Sequence, residues 1–202
     1  VITGGSRGLG LLLAQEFALE GANLVIMARD AQELDIAAQT LRDLGAEVVP
    51  VAGDVRDEQQ AQALIEKALM AFGRVDVLIN NAGVIKAGPV EHMAAADWQE
   101  AIDVHVFGPL YTMLAARPTM QAQGGGRVVN IASIGGLISV PHLLPYCTSK
   151  FGLVGLSDGM RVELAKDHIL VTTVCPGLMR TGSHTEALFK GQHEEEYSLF
   201  TL

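Results

Sequence analysis

Val1-Ile-Thr-Gly-Gly-Ser-Arg-Gly-Leu-Gly10 reads as the tail of an apolar strand, a glycine-rich turn and the first turn of a helix. The glycines follow the spacing Thr-Gly-x-x-x-Gly-x-Gly, at Gly4, Gly8 and Gly10, and not the commoner G-x-G-x-x-G. Absent side chains let the backbone approach a pyrophosphate, and a helix N-terminus offers it unpaired N–H groups and the positive end of a dipole. Further along, helical and strand-like segments alternate. Leu9–Glu20 repeats apolar residues at helical spacing and stops at Gly21. Asn23–Ala28 reads as a buried strand, Ala31–Leu44 as a helix, Glu47–Gly53 as a strand, Glu58–Phe72 as a helix and Val75–Ile79 as a strand. A helix from about Asp97, a flexible Gln121–Gly126 connection, a strand over Arg127–Ser133, a helix reaching about Lys166 and a strand over His168–Cys175 follow. Such alternation predicts an α/β fold, a doubly wound parallel sheet with helices on both faces.

A second stretch, Ser133 to Lys150 (SIGGLISVPHLLPYCTSK), carries the chemistry. Tyr146 and Lys150 are four residues apart, so on a helix they share one face. A cation beside a phenol favours the phenolate, so the spacing predicts a Tyr146 pKa below the ordinary value of about 10. A shift of roughly 2 to 3 units takes about 3 to 4 kcal/mol, which is expected from one close cation together with a positively charged cofactor ring. Ser133 stands thirteen residues before the Tyr, at the end of a buried strand, where an open parallel sheet binds its ligands. Ser133 and Tyr146 can therefore converge on one substrate oxygen.

Thr3-Gly4…Gly8-x-Gly10, Asn80-Asn81-Ala82-Gly83, Ser133, Tyr146-x-x-x-Lys150 and Pro176-Gly177, in this order, resemble the short-chain dehydrogenase/reductase family across nearly the whole chain. The resemblance implies a Rossmann-like sheet, a nicotinamide dinucleotide and hydride transfer between a carbonyl and an alcohol. It implies that Thr3, Gly4, Ser6, Arg7, Gly8, Leu9 and Gly10 hold the cofactor's phosphates, and that Asn81, Ala82 and Gly83 line its channel. It further implies that Asp54 receives the adenine amino group with the Val55 backbone, and that Pro176, Gly177, Met179 and Thr181 hold the nicotinamide end. Asp54 has a second reading, as the cap of the next helix. Within this resemblance Tyr146 gives or takes the proton, Ser133 polarises the oxygen, and Lys150 lowers the Tyr146 pKa and orients the ribose.

Cofactor choice turns on the end of the second strand. An acidic residue there binds the ribose 2′-hydroxyl of NAD, and an Arg nearby accommodates the 2′-phosphate of NADP. Ala28 occupies the place of the acid, with Arg29 next and Arg7 in the glycine turn as a second cation. Two contacts of about 1.5 to 3 kcal/mol each favour NADP(H) by about a hundredfold or more. Asp30 is the competing acid, one place late, and Asp30 with Glu33 also makes a D-x-x-E helix start.

One position departs from the family pattern. Many members carry an Asn in a Val-Asn-x-x-Gly stretch as a fourth catalytic residue, and here Val104-His105-Val106-Phe107-Gly108 puts His105 in its place. Pro109 cannot donate to the carbonyl of residue 105. That carbonyl is expected to hold a water passing protons to Lys150, with a packed kink as the alternative.

Composition bounds the rest. The 202 residues suit one domain, 1–202, whose segment 182–202 covers the substrate, with Leu188, Phe189, Tyr197, Leu199 and Phe200 as apolar lid residues and Gly182 and Gly191 as hinges. Leading residues of the first strand and a last strand are expected to lie outside this sequence. A net charge of −9 argues against nucleic acid and anionic membranes as partners. Two cysteines, Cys147 and Cys175, point to a reducing cytoplasm and not to a disulfide framework. His193-Glu-Glu-Glu196 is no zinc motif, because Tyr197 stands where H-E-x-x-H needs a second His, so no metal is expected. Gly152, Gly155 and Ser157 on the Tyr146 helix permit close helix contact, and the resemblance implies that this helix builds a homodimer or homotetramer interface. The function expected is NADP-dependent reduction of a small to medium apolar carbonyl, or the reverse oxidation. A same-site epimerase or dehydratase, and a non-catalytic dinucleotide sensor or scaffold, are the alternatives.

Overall fold

A computed structural model describes residues 1–179 and 187–191. Six strands form one parallel sheet in the order β3-β2-β1-β4-β6-β7. They are β1 (Ile2–Thr3), β2 (Leu24–Ala28), β3 (Val48–Ala52), β4 (Val77–Asn80), β6 (Gly126–Ile131) and β7 (Ile169–Val174). Each pair is parallel, with Ile2 opposite both Ile26 of β2 and Ile79 of β4. Parallel strands need crossovers, and the helices supply them: α1 (Gly8–Leu19), α2 (Ala31–Asp43), α3 (Glu58–Phe72), α4 (Ala95–Ile102), α5 (Gly108–Ala122) and α6 (Leu144–Leu164). Pro50 sits within β3, which is tolerable because β3 is an edge strand.

Covered on both faces, the inner strands read as unbroken apolar runs. One core layer packs Leu64, Ile65 and Ala68 of α3 with Met113, Ala116 and Met120 of α5 against Val25, Met27, Leu78 and Val128. On the opposite face Ala14 and Ala18 of α1 and Leu34, Ala37 and Leu41 of α2 pack on Ile2, Leu24, Ile26 and Ile79. A buried polar chain crosses the first layer: Thr112 Oγ1 donates to Asn80 Oδ1 (2.7 Å), the Asn80 amide to Asn130 Oδ1 (2.9 Å) and the Asn130 amide to Ser157 Oγ (2.9 Å). With every member partnered, the chain fixes β4 and β6 against α5 and α6. Ser157 thus points inward, whereas the sequence reading places it on an outer interface.

The chain winds outward through β1, β2 and β3, then returns to β4 beside β1. This reversal opens a crevice at the carboxyl ends of β1 and β4, where such sheets bind ligands. Beside it lies a second ladder absent from the sequence reading, β5 (Lys86–Ala87) pairing in parallel with β8 (Leu188–Phe189).

Candidate active site

The glycine turn leaves β1 with Gly4 at φ +65° and Gly8 at φ +55°, the left-handed region that favours glycine. Gly10 answers a different need: a Cβ there would lie 2.0 Å from the Gly4 carbonyl oxygen. Asn81 clamps the turn, its amide donating to the Thr3 and Gly4 carbonyls at 3.1 Å each. Thr3 Oγ1 accepts the Asn81 and Ala82 N–H groups at 3.0 and 3.1 Å. Helices α2 and α3 are capped by Asp30 and Asp57, but α1 has neither a side-chain cap nor an acid in its first turn. A bare helix N-terminus behind a bare backbone turn is a cradle that fits a pyrophosphate.

Around the adenosine side of that cradle, Arg29 is exposed and Arg7 pairs with Glu33 at 3.0 Å. Asp30 caps α2 through the Gln32 and Glu33 N–H groups. Asp57, not Asp54, caps α3, which removes the alternative reading of Asp54. The Asp54 carboxylate instead holds Arg56, side chain and N–H both. Burial works to raise the Asp54 pKa, but these Arg56 hydrogen bonds outweigh it and hold the carboxyl below its usual range. Val55 is buried under Gly108, where a Cβ would approach Val55 Cγ2 to 2.9 Å.

Ser133 follows the end of β6 at the start of a single 3₁₀ turn, its hydroxyl accepting the Gly135 N–H at 3.1 Å. Across Gly135 it faces Tyr146 on the first turn of α6: a Cβ at Gly135 would lie 3.5 Å from Ser133 Oγ and 3.2 Å from the edge of the Tyr146 ring. One turn further along, Lys150 is buried, donates to the Ile131 carbonyl at 2.8 Å and places Nζ 5.7 Å from the Tyr146 ring centroid. The spacing therefore does bring Ser133, Tyr146 and Lys150 together. The predicted direction of the phenol's shift is another matter. In the protein alone burial raises the Tyr146 pKa, the Ser133 hydrogen bond opposing it. Burial also lowers the Lys150 ammonium to about 7, so this lysine is a weaker source of positive charge than the sequence suggests.

His105 is buried in a π-helical segment, Asp103–Phe107, where the Gly108 N–H bonds back to the Asp103 carbonyl. The Val84 N–H donates to Nε2 at 3.1 Å, so the ring proton is on Nδ1, which donates to Ser149 Oγ at 2.7 Å. The Ser149 hydroxyl passes on to the Tyr146 carbonyl at 2.8 Å. Burial, with the nearby charge of Lys150, pushes the imidazole well below its usual pKa. The His105 side chain is thus a neutral strut between the loop after β4 and α6, and only the backbone carbonyl is left as the part that the expected relay uses. Gly83 stays bare beside it, a Cβ there reaching 3.1 Å from Nε2.

The Pro176 carbonyl accepts the Ile134 N–H at 2.9 Å, joining the end of β7 to the Ser133 turn. Met179 is partly exposed beyond it, and Thr181, Gly182, Tyr197, Leu199 and Phe200 lie outside the described residues. A cleft of about 620 Å³ opens between the loop linking Ser133 to Tyr146 and the segment after β5; Pro89, Val90, Val140, Pro141 and Leu144 line it with Glu91, Ser139 and His142. Its walls are tied where the Gly88 N–H meets the His142 carbonyl at 2.8 Å. Behind the cleft, the buried Asp97 carboxylate receives Lys86 at 2.8 Å and Lys190 at 2.5 Å, and Lys86 also pairs with Glu100. This knot secures Leu188 and Phe189, the predicted lid residues, as strand β8.

A strand-turn-helix cradle and a Ser-Tyr-Lys cluster at one sheet reversal form a composite that sequence comparison also finds: the short chain dehydrogenase family model matches residues 1–190. The chain belongs to the short-chain dehydrogenase/reductase family. Short-chain dehydrogenases/reductases are oxidoreductases that use a nicotinamide dinucleotide and act on small molecules. This one is 35% identical over 181 residues to an uncharacterized oxidoreductase of Thermotoga maritima, covering 90% of this chain and 71% of the relative. A Burkholderia phymatum short-chain dehydrogenase/reductase in complex with NAD superposes with a TM-score of 0.88 at 35% identity, covering 92% of this chain and 67% of that one. The L-sorbose reductase of Gluconobacter frateurii, complexed with NADPH and L-sorbose, gives 0.87 at 34% identity, covering 91% and 70%.

Several parts of this short-chain dehydrogenase/reductase escape its motifs. Ser149 bridges His105 to Tyr146, yet sits inside Tyr-x-x-x-Lys as an unremarked x. Lys86, Asp97 and Lys190 are far apart in sequence. Asp97 is an acid in the first turn of α4, where it reads as an ordinary helix-start charge, so no local signal marks its burial.

Proposed function

We propose that this protein is an NADP(H)-dependent oxidoreductase that interconverts a carbonyl and an alcohol on a small to medium, largely apolar substrate. The observation that carries this reading is the convergence of Ser133 and Tyr146 across Gly135, with Lys150 one turn further along α6. Bound nicotinamide supplies or accepts the hydride. Tyr146 Oη gives the proton to the developing alkoxide, or takes it from the alcohol, and Ser133 Oγ polarises the same oxygen. Lys150, tethered to the Ile131 carbonyl, stabilises the phenolate and orients the nicotinamide ribose. The backbone carbonyl of His105 holds the relay water that resupplies Lys150.

Arg29, Arg7 and Ser6 bind the 2′-phosphate; Asp54 and Val55 take the adenine; Gly177, Met179 and Thr181 hold the carboxamide end. The mostly apolar cleft beside Val140 and Leu144 supports an apolar substrate. Exposed Phe107, Leu114, Phe151 and Val162 on the α5 and α6 side support a homo-oligomer. Two free cysteines support a cytoplasmic location. No helix among the described residues is long and apolar enough to cross a membrane.

A panel of apolar ketones and aldehydes tests the reading with NADPH and NADH as reductants. Carbonyl-dependent NADPH oxidation, faster than with NADH, is the expected result. Oxidation supported by NADH alone contradicts the cofactor assignment.

A further inference from the structure

Glu33 is the third residue of α2, and its carboxylate takes no part in capping that helix, which Asp30 does. It turns instead to the glycine turn. Oε1 receives the Arg7 guanidinium at 3.0 Å and Oε2 the Ser6 hydroxyl at 3.3 Å. Ser6 and Arg7 are two of the three groups read above as the 2′-phosphate subsite. A carboxylate bonded to a hydroxyl and a guanidinium uses the donors that phosphate oxygens use, with a similar charge-assisted geometry.

We propose that Glu33 is a cofactor-specificity residue, an internal anion seated on the 2′-phosphate donors that NADP(H) must displace and NAD(H) need not. The inference rests on the reading of Ser6, Arg7 and Arg29 as that subsite. NAD(H) has a 2′-hydroxyl and leaves both Glu33 contacts in place. NADP(H) brings a phosphate that either breaks them or sits beside the carboxylate, and like charges at contact distance repel. The Arg7 and Glu33 side chains are 51% and 41% exposed, so solvent screens the pair and the exchange is shallow. Glu33 therefore tempers the preference for NADP(H) without abolishing it. Arg29, the third group of that subsite, is exposed, and its charge is felt at Asp54.

The test is a fluorescence titration of wild type and Glu33→Gln with NADPH and with NADH at fixed ionic strength, which needs no substrate. Glu33→Gln is expected to bind NADPH about two- to fivefold tighter, with NADH unchanged. Glu33→Ala, which cannot hold Arg7 at all, is expected to show the same selective gain. Unchanged or weaker NADPH binding in both variants overturns the proposal, because Glu33 then orients Arg7 for the phosphate. Equal tightening of NADPH and NADH overturns it too. The underlying cofactor reading fails separately: a wild type that prefers NADH, whose variants gain NADPH alone, supports the role of Glu33 and refutes NADP(H) as the preferred cofactor. The melting temperature of each ligand-free variant checks that affinity is compared between folded proteins.

Discussion

His105 and Tyr146 meet edge to face, their ring centroids 5.5 Å apart and their planes at 90°. The imidazole is fixed at both nitrogens, so it holds the phenol's back wall rather than titrating beside it. Edge-to-face aromatic pairs contribute about 0.5 to 1.5 kcal/mol beyond their burial. The position that the family pattern gives to an Asn is here a packing post for Tyr146.

That role sets a pH dependence. Burial lowers the folded-state pKa of His105, so below about 6.5 the unfolded chain binds a proton that the native state refuses. Stability from this residue is therefore lost as pH falls through that region, with a slope of up to about 1.4 kcal/mol per pH unit. Denaturant unfolding of wild type and His105→Asn between about pH 5.5 and pH 7.5, one unit either side of the ordinary histidine value, should show a shallower acid dependence in the variant. Parallel curves contradict the buried neutral imidazole.

Gly10→Ala should damage both fold and cofactor binding. The new methyl meets the Gly4 carbonyl oxygen, a backbone atom, so α1 must move away from β1 and the cradle opens. A loss of about 3 kcal/mol or more in unfolding free energy is expected, together with loss of nicotinamide fluorescence enhancement. Unaltered NADPH affinity contradicts the assignment of the turn.

Asp97→Asn tests the knot behind the cleft. Lys86 and Lys190 both rest on this nearly buried carboxylate, whose pKa they and the Ala94 N–H hold far below the usual range, first through the Lys190 hydrogen bond. Leaving two ammonium groups without it costs about 2 to 4 kcal/mol. Unfolding experiments at neutral pH check the magnitude, and proteolysis C-terminal to β7 should accelerate if β8 is released.

Arg29→Ala should weaken NADPH binding about tenfold or more, the worth of one charge-assisted phosphate contact, and leave NADH affinity nearly unchanged. Equal weakening of both cofactors makes Arg29 a general surface charge and returns Asp30 to consideration.

The parallel sheet and the cradle were legible because glycine spacing and buried apolar runs are local signals with one structural solution. Ser133, Tyr146 and Lys150 were legible for the same reason, helix periodicity aligning two of them and a strand end delivering the third. Distant pairs leave no such trace. The β5–β8 ladder has two residues per strand, too few for a period, and the Asp97 knot joins residues 86, 97 and 190. Glu33 read as half of a capping box, since the pattern D-x-x-E cannot reveal that its carboxylate turns to Arg7. In the protein alone the Tyr146 shift runs the other way, because spacing specifies a neighbouring lysine but neither the burial of both groups nor the charge of a bound cofactor ring.

Turnover by Tyr146→Phe, measured with a carbonyl substrate found in the panel and alongside NADPH titration, addresses the central claim most directly. Phenylalanine keeps the ring against His105 and removes only the hydroxyl that Ser133 contacts. The account predicts NADPH affinity within a few-fold of wild type and a fall in kcat of about a hundredfold or more, the scale of a lost general acid. Wild-type turnover in the variant contradicts it, and would move the proton donor to another group.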